Sequence, residues 1–374
     1  MNILVTGSKG FIGKHICFKL NLLKQNVFEF DIDNSDEQLI EFVKKCDFII
    51  HLAGINRPLN NEEFYNGNTN FTYKLVELIN QYNQEVPIIM SSSIQATLDN
   101  DYGKSKLYAE NYILDHANNA YIYRLYNVFG KWCKPNYNSV VATFCYNIAN
   151  NLDIKINNPN TIVTYNYIDD IVEEFIDVIL KNKAAKNKQI NYVDINYDCS
   201  LFHLSELLYY FKKEIQSGNH LPIINNEFEY KLFKTFCSYL TEDNNLNYAS
   251  DERGSFEELY KSNKYGQISE NIAFPNIVKG MHYHTYKKEI FYPIIGKSKI
   301  VQQSLNHQDT IIDIINNDNR RMVEMKTNYL HSIENIDNKK TYTLMWISEI
   351  YNENNPDTYK GEMKKINDNG DKNE

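Results

Sequence analysis

The rhythm of apolar and polar positions changes partway along this 374-residue chain. In the first half, short apolar runs alternate with stretches of helical spacing. Ile3-Leu4-Val5 predicts a strand, Phe11 to Leu23 a helix, Val27 to Phe30 a second strand and Asp47 to Leu52 a third. A helical stretch from Asn68 to Tyr82 then precedes a strand at Ile88-Ile89-Met90. Apolar strands that take turns with helices predict a parallel sheet covered on both faces. Around Glu242 to Asn247 the texture turns polar, which marks a domain boundary. Beyond it, Ile290–Ile295, Ser298–Gln302 and Tyr342–Ile347 are short runs broken by Gly, Asn and Asp, a pattern that suits a β-sandwich or barrel. The expected architecture is an α/β domain with a doubly wound parallel sheet over 1–244, followed by an all-β domain over 245–374. The stretch from Lys364 to Glu374 is polar and is expected to fray.

Length agrees with two domains, each large enough to bury its own core. The net charge of −9 argues against nucleic acid or an anionic membrane as the main partner. A helix N-terminus or local Lys and Arg still suffice for an anionic small molecule. No apolar run approaches the roughly 20 residues that span a bilayer. The chain enters its first strand without a charged-then-apolar leader, so a cytoplasmic enzyme is expected. The six Cys have neither metal nor disulfide spacing and are expected to be mostly buried thiols.

The first candidate chemistry lies at Thr6-Gly7-Ser8-Lys9-Gly10-Phe11-Ile12-Gly13. A glycine-rich turn after a buried strand and before a helix is a dinucleotide-phosphate site. Gly7 allows the tight turn, Gly10 lets backbone approach the pyrophosphate, and Gly13 permits close helix–sheet packing. The second strand ends Glu29-Phe30-Asp31-Ile32-Asp33. A carboxylate there would accept hydrogen bonds from the adenosine hydroxyls and repel a 2′-phosphate, which favours NADH over NADPH.

Tyr102 and Lys106 are four apart, hence on one face of a helix. A tyrosine titrates near ~10 when unperturbed, and an adjacent ammonium helps it act nearer neutrality. Such pairs are common in a chain with 29 Tyr. The Ser91-Ser92-Ser93 run after a strand raises the odds, because a hydroxyl there would bond a substrate oxygen beside Tyr102.

The second candidate chemistry is His282-x-His284, then Glu289 and Gly296, and later His331-x3-Asn335. Alternation along a strand points both imidazoles of the pair to one face. Glu289 on the next strand or turn and His331 on a distant strand would complete four ligands. That donor set suits Zn²⁺, with Fe²⁺, Mn²⁺ or Ni²⁺ as alternatives. The spacing also resembles the two cupin motifs. His307 falls outside the pattern and is read as a surface residue.

The N-terminal half resembles the extended short-chain dehydrogenase/reductase family. The resemblance rests on the glycine turn, His51-Leu52-Ala53-Gly54, Asn68, Ser93, Tyr102/Lys106, Arg124-Leu125-Tyr126-Asn127-Val128-Phe129-Gly130 and Tyr167-Ile168-Asp169-Asp170, in the family's order. It implies a Rossmann-like domain in which Ser93, Tyr102 and Lys106 are catalytic. The dinucleotide would be held by Gly7, Lys9, Gly10, Phe11, Ile12, Gly13, Asp31, Leu52, Ala53 and Gly54 together with Tyr102 and Lys106. Ser92, Arg124 and Asn127 would face a nucleotide-sugar. Ser93 and Tyr102 are only nine apart, whereas nucleotide-sugar epimerases usually carry a much longer insertion there.

Asp251-Glu252-Arg253-Gly254-Ser255-Phe256 looks like the opening of the sugar-nucleotide 3,5-epimerase cupins. The two halves together resemble the CapF-type bifunctional enzymes of bacterial capsule synthesis. Ser91 to Thr97, Gly130 to Ser139 and Asn355-Pro356-Asp357-Thr358-Tyr359 add to that likeness. The resemblance implies a jelly-roll domain that epimerises C3 of a UDP-4-keto-6-deoxy-HexNAc and a reductase domain that reduces C4. The product would be UDP-2-acetamido-2,6-dideoxy-L-talose, en route to UDP-N-acetyl-L-fucosamine. That family is associated with NADPH, while Asp31 and Asp33 favour NADH, so both stand as expected cofactors. Both parent families commonly dimerise, so a homodimer is expected. The rival readings are a 4-epimerase or 4,6-dehydratase with a merely structural cupin, and a sugar-nucleotide-binding protein without turnover.

Overall fold

The structure is a computed structural model and describes residues 1–180, 185–217, 220–240, 247–352 and 354–364. The chain forms two compact units, Met1–Tyr209 with Asn226–Thr241, and Tyr210–Asn225 with Glu242–Glu374. The expected boundary at 244/245 and the expected frayed terminus after Lys364 lie outside the described residues. The segment Tyr210–Asn225 groups with the second unit, where the Leu221 N–H donates to the carbonyl of Lys261 at 2.7 Å. Nothing in its local sequence announces that pairing.

The first unit carries strands β1 (Asn2–Thr6), β2 (Asn26–Phe30), β3 (Phe48–His51), β4 (Ile88–Ser93), β5 (Ala120–Leu125), β6 (Asn127–Phe129), β7 (Ile162–Tyr167), β8 (Gln189–Asn191) and β9 (Tyr197–Ser200). Its main sheet has the order β2-β1-β3-β4-β5-β8 and is parallel throughout. Ile3, Leu4, Val5, Ile49, Ile50, Ile88 and Ile89 are fully buried, as a sheet covered on both faces requires. Sheet order reverses between β1 and β3, and a crevice at the carboxyl ends of such strands is where ligands bind in open α/β sheets. The glycine turn leaves β1 at that point, and Leu52-Ala53-Gly54 leaves β3 beside it. A small sheet, β6-β7-β9, stands apart from the main one.

Two helices matter most to the site. The helix Phe11–Leu22 begins at Gly10, with no side-chain cap and no acidic residue in its first turn. Its first N–H groups are therefore open to an anion. The helix Asp101–His116 begins where the Asn100 side chain accepts from the Gly103 N–H at 2.8 Å. That cap fixes Tyr102 in the first turn and Lys106 one turn further on. The helix expected over Asn68–Tyr82 starts instead as a wide π-type turn, Tyr65–Asn70, and becomes α-helical at Phe71.

The second unit is all β: β10 (Asn247–Asp251), β11 (Gly254–Ser262), β12 (Gly266–Ala273), β13 (Val278–Tyr283), β14 (Glu289–Ile295), β15 (Ser298–Ser304), β16 (Thr310–Ile315), β17 (Val323–Met325), β18 (Tyr329–Asn335), β19 (Thr341–Ile347) and β20 (Tyr359–Lys360). They form two antiparallel sheets, β10-β11-β12-β19-β14-β17 and β16-β15-β18-β13-β20, the expected jelly-roll arrangement. Phe291, Ile300, Ile315, Val323, Met325 and Ile333 make its apolar core. Beside that core the inward positions of β12 are polar, with Gln267, Ser269 and Asn271 all buried. A strand whose buried face is polar lines a pocket rather than a core.

All six cysteines are free, and five are buried, with Cys237 exposed. Among the described residues no helix is long and apolar enough to cross a membrane.

The glycine turn is sterically closed to side chains. Gly7 sits at φ 71°, and a Cβ on Gly13 would lie 2.1 Å from the Gly7 carbonyl oxygen. Gly13→Ala should therefore cost about 1–3 kcal/mol of stability by overpacking and weaken dinucleotide binding. Chemical denaturation and cofactor titration check it, and wild-type values in both would show that the turn accommodates a methyl group.

Candidate active site

The first unit gathers its site at the carboxyl ends of β1, β3 and β4. The Gly7 N–H donates to the Phe30 carbonyl at 2.8 Å, and Gly10 N–H to the Gly7 carbonyl at 3.0 Å, which closes the turn over the helix end. Ser8 is buried in this turn, and its hydroxyl has no hydrogen-bond partner. Open helix N–H groups, an unpaired hydroxyl and glycines that a Cβ would fill all fit a dinucleotide phosphate. Phe11 and Ile12 open the helix and are half-buried. Asp31 accepts the backbone N–H of Lys9 at 2.8 Å and of Ile32 at 2.9 Å. Lys9 directs its ammonium to Asp33 rather than Asp31, and that bond raises the lysine above its usual value.

Across the crevice, the Ala53 N–H donates to the Thr6 hydroxyl at 3.3 Å, and Leu52 N–H to the Thr6 carbonyl at 3.1 Å. His51 lies below them, between the Thr6 and Thr72 hydroxyls at 2.7 and 2.9 Å. Burial, with the Lys106 charge adding to it, presses this imidazole down to about 3, so it stays neutral and structural. A Cβ on Gly54 would come within 2.6 Å of Asn68 Oδ1 and 3.0 Å of Lys106 Nζ. Glycine there lets those two side chains converge. Asn68 also accepts from the Ile55 N–H and donates to Ile55 O and Ser105 Oγ, each at 2.8–2.9 Å.

Ser93 and Tyr102 come together in a hydrogen bond, and Lys106 follows Tyr102 one turn along the same helix. Burial raises the Tyr102 phenol above its usual value, and a hydrogen bond with Ser93 pulls it partly back. Lys106 is buried and donates to the Ser91 carbonyl at 3.3 Å. Desolvation lowers its ammonium to about 8, against an opposing pull from Glu110. Glu110, one turn further along the helix, is 1% exposed. It accepts the Ser92 hydroxyl and three guanidinium bonds from Arg124, at 3.0, 3.3 and 2.7 Å. Ser92 and Arg124 face each other across β4 and β5 and meet on this carboxylate. Asn127 is exposed and donates to the Thr164 carbonyl at 3.2 Å.

The second unit draws His282, His284, Glu289 and His331 into one cluster, with ligand atoms within 4.8 Å of one another. Glu289 Oε2 lies 2.9 Å from His331 Nε2, 3.3 Å from His284 Nε2 and 4.0 Å from His282 Nε2. An ion at about 2.0–2.2 Å from each of four tetrahedral donors sets those donors about 3.4 Å apart. The four side chains fit such an ion. His282 and His331 are paired across β13 and β18, and Glu289 opens β14 of the other sheet. One expectation needs correction: His284 does not continue the β13 strand, which ends at Tyr283 after a bulge between Gly280 and His282. Met281 at φ 61° makes that bulge and re-aims His282.

What holds His284 is Asp357. Its carboxylate accepts the N–H groups of Thr285, Tyr286 and Lys287 at 2.9, 3.1 and 2.9 Å, and the Thr285 hydroxyl. Burial opposes its charge, but the Thr285 hydroxyl and these amides hold it at about 2. The Asp357 carbonyl takes the His284 Nδ1–H at 2.5 Å, and the Tyr329 carbonyl lies 3.2 Å from His331 Nδ1. Both rings thereby present Nε2 to the cluster. Burial and the neighbouring His331 lower His282 to about 4. Glu289 stays ionised at about 2, because hydrogen bonds from His284 and His331 outweigh its burial. His282 is the most exposed of the four, at 23%, so the cluster opens on its side. A cavity of about 240 Å³ adjoins it, lined by His282, His284, Glu289, Lys287, Gln267 and Met345 among others. His307 lies outside the cluster, bonded to Gln303 at 2.8 Å.

Sequence reasoning missed Glu110, although its place four residues after Lys106 was a usable signal. It noted the Asn355–Tyr359 run but gave Asp357 no role.

A dinucleotide fold with Tyr and Lys one turn apart beside a serine-bearing strand end defines a nicotinamide-dependent enzyme of the dehydrogenase and epimerase class. Residues 3–193 match the NAD dependent epimerase/dehydratase family, and residues 249–359 match the polysaccharide biosynthesis C-terminal domain. The chain is 36% identical over 369 residues to the UDP-2-acetamido-2,6-beta-L-arabino-hexul-4-ose reductase of Pseudomonas aeruginosa, which covers 96% of this chain and 98% of that protein. Its fold matches the crystal structure of the capsular polysaccharide assembling protein CapF from Staphylococcus aureus with TM-score 0.88 at 40% identity, over 97% of this chain and 100% of that one. A structure of CapF with the inhibitor 3-isopropenyl-tropolone matches at TM-score 0.83 and 35% identity, with the same coverage. The chain therefore belongs to the NAD dependent epimerase/dehydratase family, and within it to the CapF-type proteins that continue into a polysaccharide biosynthesis C-terminal domain.

Two outcomes test these sites. Lys106 carries its charge below about 8, so kcat/KM for hydride transfer should fall as pH rises through that value; a flat profile between about pH 6 and 10 would remove the lysine charge from the rate. If the histidine cluster takes up added zinc, Asp357→Ala should weaken that uptake about 10–100-fold in a chelator competition. It should leave dinucleotide affinity unchanged, and unchanged zinc affinity would take Asp357 out of the ligand support.

Proposed function

We propose that this protein is a bifunctional sugar-nucleotide enzyme. The all-β domain, taken as 245–374, epimerises C3 of a UDP-4-keto-6-deoxy-HexNAc. The α/β domain, taken as 1–244, then reduces C4 to give UDP-2-acetamido-2,6-dideoxy-L-talose for polysaccharide synthesis. The observation that carries this reading is the coexistence of two complete side-chain sets, Ser93/Tyr102/Lys106 and His282/His284/Glu289/His331, on a chain related end to end to a hexul-4-ose reductase. Ketone reduction by the first set and proton chemistry beside a ketone by the second are consecutive operations on one sugar.

Each residue has a stated part. The nicotinamide cofactor supplies hydride to the C4 carbon. Tyr102 delivers the proton to the C4 oxygen, Ser93 bonds that oxygen and the phenol, and Lys106 stabilises the phenolate left behind. Glu110 offsets the cost of burying that lysine. His282, His284, Glu289 and His331 would hold a divalent cation, zinc by donor type, which would supply Lewis-acid pull on a ketone and make the neighbouring C–H more acidic. A tropolone offers adjacent carbonyl and hydroxyl oxygens, a chelating pair, so inhibition of CapF by such a compound fits a metal in the family. Asp31, held by two backbone N–H groups while the Lys9 ammonium bonds Asp33, supports NADH, and kinship with CapF keeps NADPH as the rival. A homodimer in the cytoplasm completes the reading.

The test supplies the full-length protein with a UDP-4-keto-6-deoxy-HexNAc in D₂O and follows NADH and NADPH oxidation separately. Stoichiometric oxidation with deuterium at C3 is expected. Tyr102→Phe should lose hydride transfer about a hundredfold or more and keep cofactor binding and C3 exchange. Cofactor regenerated through turnover, with no net oxidation, would make the protein a 4-epimerase instead.

A further inference from the structure

The proton chemistry assigned to the all-β domain still needs protein groups that meet the substrate. Three residues near the histidine motif are obvious in sequence, and the structure sets them aside. Tyr283 stacks on Tyr359 with ring centroids 5.2 Å apart. Tyr286 is 47% exposed. Lys288 points outward and pairs with Glu324 at 3.7 Å. The residue between them behaves differently. Lys287 is 2% exposed, lies two residues before the ligand Glu289, and lines the cavity beside the cluster.

Its bonding is incomplete. The Lys287 ammonium donates to the Pro356 carbonyl at 2.7 Å, and no carboxylate pairs with it among the described residues. An ammonium has three donors, and a buried charge with one neutral acceptor is costly unless something else meets it. Lys279, in the same domain, shows the satisfied alternative. It donates to Ser255 O, Asn271 Oδ1 and Ile272 O at 3.2, 2.9 and 2.9 Å, which completes all three bonds. The Asp357 carboxylate next to Pro356 is already taken by the backbone N–H groups of residues 285–287 and the Thr285 hydroxyl. Those same bonds fix the Lys287 backbone, and Pro356 fixes its side-chain tip. The ammonium is thus fixed in place, on a residue that lines the same cavity as His282, His284 and Glu289.

We propose that Lys287 is a catalytic residue whose ammonium donates a hydrogen bond to the substrate's ketone oxygen as that oxygen becomes an enolate. This inference rests on the epimerase reading above. The balance is simple. The C3–H bond breaks, its electron pair forms the C3–C4 double bond, and the carbonyl π pair moves onto oxygen. The proton passes to a water, for which a 240 Å³ cavity has room. A proton returned to the other face of C3 restores the ketone with inverted configuration. A donor fixed before the charge develops needs no rearrangement when it does, and loss of one such donor typically slows a reaction by about 10²–10³-fold.

The experiment compares wild type with Lys287→Met and Lys287→Arg, all full-length, with a UDP-4-keto-6-deoxy-HexNAc in D₂O. Four quantities are read: C3 deuterium uptake at saturating substrate, affinity for UDP alone, zinc content and thermal midpoint. Lys287→Met should lose exchange about a hundredfold with zinc, midpoint and UDP affinity unchanged, and Lys287→Arg should recover at least part of the rate. Normal exchange by Lys287→Met overturns the proposal, as does loss of zinc or of folding, which would make the lysine structural. Weaker binding of UDP with normal exchange at saturation would place the cation on the diphosphate and also overturn it. A wild type that exchanges nothing at C3 removes the epimerase reading itself, whereas normal exchange in both wild type and Lys287→Met removes Lys287 alone.

Discussion

Burial of charge is the constraint on which both sites depend. Lys106, Glu110 and Glu289 are each buried, and an ion that loses most of its water must find a fixed partner or lose its charge. In the first unit, Arg124 neutralises Glu110, and Glu110 in turn supports Lys106. Removal of one partner from such a buried set typically costs about 3–5 kcal/mol, because the other is left uncompensated. The chain of charges from β5 through the helix to Lys106 therefore resists rearrangement. In the second unit, Glu289 remains an anion among three imidazoles, and His282 is held neutral. Burial works against a charge on His284, but its hydrogen bond to Glu289 raises it above its usual value, so a divalent cation would displace a proton as it takes the place of that bond.

The backbone makes these arrangements possible at a few positions. Gly54 leaves room for Lys106 and Asn68 to meet, and the Asn100 cap sets the helix phase that aligns Tyr102 with Ser93. In the jelly roll, the bulge at Met281 turns His282 inward, and the Asp357 clamp bends the chain so that His284 follows it. A regular β-strand would give the same two imidazoles one face but would not bring Glu289 back to them within five residues. Asp357 thus acts on the cluster twice, through its carboxylate on the turn and its carbonyl on His284.

Much of this was legible in the chain. The strand and helix rhythm of the first half, the glycine turn and the Tyr102/Lys106 pair all follow from local periodicity, and local rules govern local geometry. The His-x-His, Glu and distant His were legible because metal ligation restricts residue types so severely. What escaped depended on contacts remote in sequence. Asp357 lies 72 residues beyond Thr285, whose N–H it accepts, and an aspartate beside a proline reads as an ordinary turn. Tyr210–Asn225 falls inside the span 1–244 expected for the first domain, yet it groups with the second unit, where Leu221 bonds β11. The choice between Lys287 and Lys288 was closed to sequence as well. A one-residue step decides which side chain faces inward, and only the clamp sets that phase.

The two sites also differ in how they treat the same functional group, which bears on why one chain would carry both. On the proposed reading, a ketone oxygen at Tyr102 would meet a proton donor, which suits a carbon that receives hydride and an oxygen that ends as alcohol. On that same reading, a ketone oxygen in the histidine cavity would meet a metal and the Lys287 ammonium, beside neutral polar side chains such as Gln267 and Ser269. Those lower the energy of an enolate without protonating it to an alcohol. A site of the second kind can invert a neighbouring carbon but cannot drive the inversion forward, since ketone and inverted ketone are close in energy. A site of the first kind consumes the inverted ketone irreversibly when reduced cofactor is abundant. On the proposed reading, the fusion makes these two rates scale together in every cell, because each molecule that epimerises is made with one that reduces.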